Sequence, residues 1–198
     1  MGFMNWTEHK LEDYGRFILR RGIRAFLVPA DQLSADAAVH PYLPLLFYST
    51  PNLPRATIWH ECGHIKRHEQ TGRLLENPSV FQWTIAEALL EMQYACCGEC
   101  GKCVGCNRGQ AAVEEAQAHL WAMQEARRRG YLAILAELAQ GLNVWDDFSA
   151  YGPRQAAMYP IYAQAKRMVV EQLKNNHLVN AQHSEFVCAA SPPKRWRK

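Results

Sequence analysis

The chain has 198 residues, 48% of them hydrophobic and 21% charged, which excludes a disordered chain and suits one core-bearing domain. A net charge of +3 is too small to argue for nucleic acid. No apolar run approaches the ~20 residues of a membrane span, and the N-terminus has neither a basic start nor an apolar signal core, so a cytoplasmic protein without membrane contact is expected.

In chain order, Glu8–Arg21 reads as a helix with Leu11, Tyr14, Phe17 and Ile18 at helical spacing, ended by Gly22. Arg24–Val28 and Leu43–Tyr48 are short and rich in branched or aromatic residues, as strands are. Pro51 and Pro54 make a turn, after which a helix starts near Arg55 or Ala56 and carries Ile58, His60, Glu61, His64 and Ile65. Gly72, Asn77 and Pro78 mark a loop, and Val80–Tyr94 is helical by pattern. Residues 96–109 hold five cysteines and four glycines with almost no apolar side chains, an insertion that cannot build a core alone. Helical pattern resumes at Ala111–Arg129, stops at Gly130 and restarts at Tyr131–Gln140. Ala156–Lys174 is the last predicted helix, bent at Pro160, and from Asn175 the chain reads as polar and irregular. The expected fold class is α+β: one mainly helical domain over 1–198 with a small sheet, and a flexible basic tail over 177–198.

The segment Trp59-His60-Glu61-Cys62-Gly63-His64 carries the chemistry. Histidines four apart lie one turn apart on one helix face, so their rings converge on one Zn²⁺. Glu61 then faces the water that the metal acidifies and acts as general base. A chance H-E-x-x-H in a chain of this length has odds of about one in fifty. The apolar residues Ile58, Trp59, Cys62 and Ile65 place the motif on a buried helix, where unpaired His60, Glu61 and His64 would be costly. His68, among Lys66, Arg67 and Glu69, is expected to face solvent, and Cys62 to be a small core residue.

Catalytic zinc takes three protein ligands and leaves a position for water. Gln70 stands where a metzincin has its third histidine, which leaves a glutamate on a later helix, Glu114 or Glu115. The run Glu115-Ala116-Gln117-Ala118-His119-Leu120-Trp121-Ala122, with Pro54–Trp59 leading into the first motif, resembles the ImmA/IrrE family of gluzincin-like HExxH metallo-endopeptidases. The likeness covers about Arg24 to Met123. It implies a zincin-like domain with His60, His64 and Glu115 as metal ligands and Glu61 as catalytic base. His119 replaces the family's Asn or Asp. Two roles are open to it: orienting a ligand histidine by a ring hydrogen bond, or binding the metal itself. Ala116, Ala118 and Ala122 point to close packing of this helix on another.

Within the insertion, Cys97, Cys100, Cys103 and Cys106 form three consecutive C-x-x-C steps, with Gly98, Gly101 and Gly105 for tight turns. They suit a second zinc, which we favour, or an iron–sulfur cluster whose fourth thiolate comes from Cys106, Cys96, Cys188 or Cys62. The resulting expectation is a zinc peptidase acting on a protein partner, which the family resemblance implies is often a transcriptional repressor. The competing readings are a zinc-knuckle module that binds nucleic acid or protein, and a peptidase gated by a redox-sensing cluster. The intact Glu61 favours the peptidase.

Overall fold

A computed structural model describes residues 7–8, 23–33, 35–40, 43–72, 87–88, 108–152 and 156–188, with side chains up to Asn175 in the last segment. Within them the fold is α+β. Strands β1 (Thr7–Glu8), β2 (Arg24–Leu27), β3 (Ala37–Val39) and β4 (Leu45–Tyr48) form one sheet in the order β1-β2-β4-β3. β2 and β4 are parallel, with Arg24 opposite Leu45, while β1 and β3 run antiparallel to their neighbours. The expected helix from Glu8 is corrected at its first residue, which pairs with Phe26 in the sheet; the rest of that segment lies outside the described residues. The antiparallel strand Ala37–Val39 was not expected, because three residues rich in alanine carry no readable alternation.

Both faces of the sheet are covered, which is why β2 and β4 read as continuous apolar runs. Ala25, Leu46 and Tyr48 pack with Ile58, Cys62 and Ile65 of helix α1 (Arg55–Gln70). Phe26 and Phe47, with ring centroids 6.2 Å apart, pack on the other face with Val28, Leu33, Leu43 and Ala88. Glu87 and Ala88, the described part of Val80–Tyr94, are helical.

Helix α2 (Arg108–Arg128) packs against α1, α3 (Leu132–Val144) and α4 (Tyr159–Cys188). Its alanines make this possible: Ala112, Ala118, Ala122 and Ala126 are fully buried and let neighbouring backbones approach. α2 ends in a Schellman turn, with Gly130 at φ 73° and the Tyr131 N–H on the Ala126 carbonyl at 2.9 Å. Tyr131 then rests edge-on against Trp59 of α1. α4 presents Ile161, Ala165 and Val169, one turn apart, to the helical core.

Two expectations about α4 are corrected. Pro160 sits in its first turn, where a missing N–H costs nothing, and so opens the helix instead of bending it. The helix also continues to Cys188, past Asn175, through a stretch without glycine or proline.

A convergent His-His-Glu site

Glycine 63 sets the distance between the two helices of the site. A Cβ there would lie within 2.8 Å of the Ala118 backbone, so only glycine allows α1 to cross α2 this closely. The crossing brings together residues more than fifty positions apart. His60 Nε2 lies 3.0 Å from Glu115 Oε2 and 3.1 Å from His64 Nε2, and His64 Nε2 lies 3.5 Å from Glu115 Oε2. Donors held about 2.1 Å from one tetrahedral ion are separated by about 3.4 Å, so the spacing of these three atoms is one that could hold a metal ion. Glu114, by contrast, accepts a hydrogen bond from Gln110 on the outer side of α2.

The ring nitrogens of the site are ordered by a chain of hydrogen bonds. The Leu138 carbonyl of α3 can only accept, so His119 Nε2 donates to it at 3.2 Å. Burial holds the His119 ring far below the ordinary histidine range, at about 3, and hence neutral. Its Nδ1 is therefore an acceptor, and His60 Nδ1, 3.3 Å away, supplies the proton. That bond orients the ring so that its other nitrogen, Nε2, faces His64 and Glu115. His119 thus reaches His60 and not the convergence point.

Charges reinforce the geometry. Burial opposes ionisation of His64, but the Glu115 carboxylate, by charge and hydrogen bond, and then Glu61 raise it to about 9. Burial likewise opposes the Glu115 carboxylate, and His64 and His60 overcome that and hold it well below the carboxylate range. Glu61 is 5% exposed, and burial pushes its carboxyl up, against His64, His60 and a hydrogen bond from the Val39 N–H of β3. His60, Glu61 and His64 by themselves also place one donor atom each within 4.8 Å of one another. His68 is buried at 5% exposure, not solvent-facing as expected, because it continues the His60–His64 face and packs against the His64 ring. Cys62 is buried in the core beneath the sheet, as expected.

The His60–Glu61 side of the site opens into a cavity of about 250 Å³. Its far wall is aromatic and was not anticipated from the sequence. Trp145 covers His119 edge-on at 4.7 Å and His60 at 5.7 Å, and Tyr162 of α4 lies 5.2 Å from Trp145. Tyr151 stacks on Tyr162 and donates its hydroxyl to the Trp145 carbonyl at 3.0 Å. These residues come from segments without a motif, so only an aromatic cluster around 145–162 signalled them. Cys97, Cys100, Cys103 and Cys106 lie outside the described residues. No helix among the described residues is long and apolar enough to cross a membrane. No protein-family model, curated protein or solved structure matches this chain.

Proposed function

We propose that this chain is a zinc-dependent peptidase of zincin-like design, akin to the ImmA/IrrE enzymes, that hydrolyses a peptide bond in a protein partner. His60, His64 and Glu115 bind the metal, Glu61 is the catalytic base, and His119 fixes the ring of His60. The observation that carries the reading is the meeting of three ligand-type atoms from two helices at 3.0–3.5 Å, beside a buried glutamate that lines a cavity. A bound zinc would acidify a water and polarise the substrate carbonyl.

The rest of the chemistry belongs to the chain. Glu61 accepts the proton of the attacking water as its oxygen adds to the carbonyl carbon. It returns that proton to the nitrogen when the C–N bond breaks. Burial, which raises the Glu61 carboxyl, makes it a stronger base than an exposed carboxylate, as this step needs. The cysteine steps at 97, 100, 103 and 106 are proposed to hold a second zinc or an iron–sulfur cluster, on their spacing alone. A repressor as substrate, and a cytoplasmic setting, rest on the family resemblance and the composition.

The test is Glu61→Gln. It is expected to keep one zinc at this site and to lose the general-base contribution, about 10²–10⁴-fold in rate. His60→Ala should lose the metal. Protein fragments from cells expressing the wild type and the Glu61→Gln form are then compared. Identical fragments would remove the peptidase reading. Bound metal in both forms with fragments from neither would favour a binding or sensory metal site.

A further inference from the structure

The cavity beside Glu61 has a charge pattern that hydrolysis does not require. Asp36, at the entry to β3, and Glu137 of α3 both line it, and both are exposed. Among the described residues neither carboxylate has an ion-pair or hydrogen-bond partner. Asp36 is fixed by its backbone, whose carbonyl takes the Ser49 N–H at 2.9 Å and the Ser49 hydroxyl at 3.3 Å. Among the described residues no lysine or arginine lines the cavity. The nearby Lys166 is held away by Asp146 at 2.6 Å and the Asn143 carbonyl at 3.3 Å. The two charges of a divalent cation at the His60–His64–Glu115 point would be matched by Glu61 and Glu115. Among the described lining residues, Asp36 and Glu137 would then remain as negative charges without a counterion.

The aromatic wall supplies the other half of a recognition site. Trp145, Tyr151 and Tyr162 form a continuous aromatic surface, with centroids 5.2 and 6.0 Å apart. Such a surface carries the methylenes of a long side chain and attracts a cationic head at its ring faces. At about 250 Å³ the space is smaller than a drug-sized pocket, which starts near 300 Å³, so it fits one side chain and not a folded ligand.

We propose that this cavity is a cation subsite that receives a lysine or arginine side chain of the substrate, its stem on Trp145, Tyr151 and Tyr162 and its head between Asp36 and Glu137. Glu61 lines the same cavity, so the basic residue lies next to the bond to be cleaved. That last step rests on the peptidase reading; the binding does not.

The experiment uses the full chain as the zinc-loaded Glu61→Gln form. Binding is measured by fluorescence anisotropy for peptides that differ at one position: lysine, arginine, uncharged norleucine or glutamate. Lysine and arginine peptides are expected to bind about ten- to a hundredfold more tightly than norleucine, less so at high salt. Asp36→Asn combined with Glu137→Gln should bring lysine down to the norleucine value. Both sites are exposed and their side chains make no bond within the described fold, so the variant should keep its zinc and its circular dichroism. Equal or undetectable binding of all peptides, or a preference that survives the double substitution, overturns the subsite. Hydrolysis by the wild type separates the two claims. Cleavage without charge preference leaves the peptidase standing and removes the subsite. Charge-selective binding without cleavage of any peptide does the reverse.

Discussion

Two glycines, one in the α1–α2 crossing and one lining the cavity, mark two kinds of wall. Gly63 on α1 lies against the Ala118 backbone with no room for a methyl group, whereas Gly141 on α3 has nothing within 4 Å of where a Cβ would stand. The first wall is made of backbones pressed together through glycine and alanine. The second is made of side chains, Trp145, Tyr151 and Tyr162, with space left between them and the site. Backbone packing fixes the positions of His60, His64 and Glu115, because a helix crossing moves all of them at once. On the other wall Trp145 touches His119 and His60, but among the described residues no ring contact joins Tyr151 or Tyr162 to a histidine, so under the proposed function these two can vary with the substrate.

The comparison breaks most severely at Gly63. In an exposed helix, glycine to alanine stabilises by up to about 1 kcal/mol. Here the helices must separate, and Gly63→Ala is expected to destabilise by about 1–3 kcal/mol. It should also lower zinc occupancy, because Glu115 moves away from the histidines. Thermal unfolding with metal analysis checks both, and a stabilised variant would mean that α1 and α2 do not cross as described. His119→Ala comes next. It removes the hydrogen bond that fixes the His60 ring, and zinc affinity should fall about 10–100-fold by competition with a chelator. Unaltered affinity would reduce His119 to a filler of the core.

The site should also impose a pH dependence on the metal-free protein. His64 is raised to about 9 in the folded chain against about 6.5 unfolded, so its contribution is complete below 6.5 and is lost as pH rises to 9. His119 is depressed to about 3, so the unfolded chain gains a proton first as pH falls below 6.5, and stability is lost towards 3. Glu115 adds to that acid loss below about 4.5, whereas the contribution of Glu61, raised by burial, is complete below about 4.5 and is lost as pH rises through its folded value. Urea unfolding of chelator-treated protein is expected to show its highest stability between about pH 4.5 and 6.5 and to fall by about 1–2 kcal/mol towards pH 9. His119→Phe should flatten the acid limb. A profile that rises steadily to pH 9 would contradict the His64–Glu115 pair.

The two walls differ in how much of each the sequence discloses. Helix α1 is legible because His60, Glu61 and His64 need one face of one helix, and Ile58, Cys62 and Ile65 fill another. The alanines of α2 signal a close crossing, although not its partner, Gly63. For the third position the residues leave Glu114 or Glu115 and the resemblance points to Glu115, while for His119 two roles stay open in the sequence. His68 misleads because three charged neighbours describe the chain around it, not the helix face it occupies. β3 is unreadable for a different reason: Ala37–Val39 becomes a strand by pairing with Leu46–Tyr48, a tertiary cause that no local pattern carries. Trp145, Tyr151 and Tyr162 gather only once α3 and α4 are packed, so their spacing along the chain says nothing of a cavity.

The smallest expected effect lies at Gly141, and it sharpens the contrast most directly. It sits inside α3, one turn from the Leu138 carbonyl that anchors His119, and it lines the cavity. An added methyl meets no atom, so Gly141→Ala should stabilise the fold by about 0.5–1 kcal/mol through the unfolded chain alone. Zinc occupancy should stay at the wild-type level, because neither the α1–α2 crossing nor the His119 hydrogen bond is touched. The same methyl enters space that a substrate side chain would use, so any penalty should appear in KM more than in kcat. Chemical unfolding and steady-state kinetics on the two alanine variants together give the outcome: opposite signs in stability at 63 and 141, and loss of metal only at 63. Destabilisation at both positions would mean that the α3 wall is packed as tightly as the crossing, leaving no room there for a substrate group.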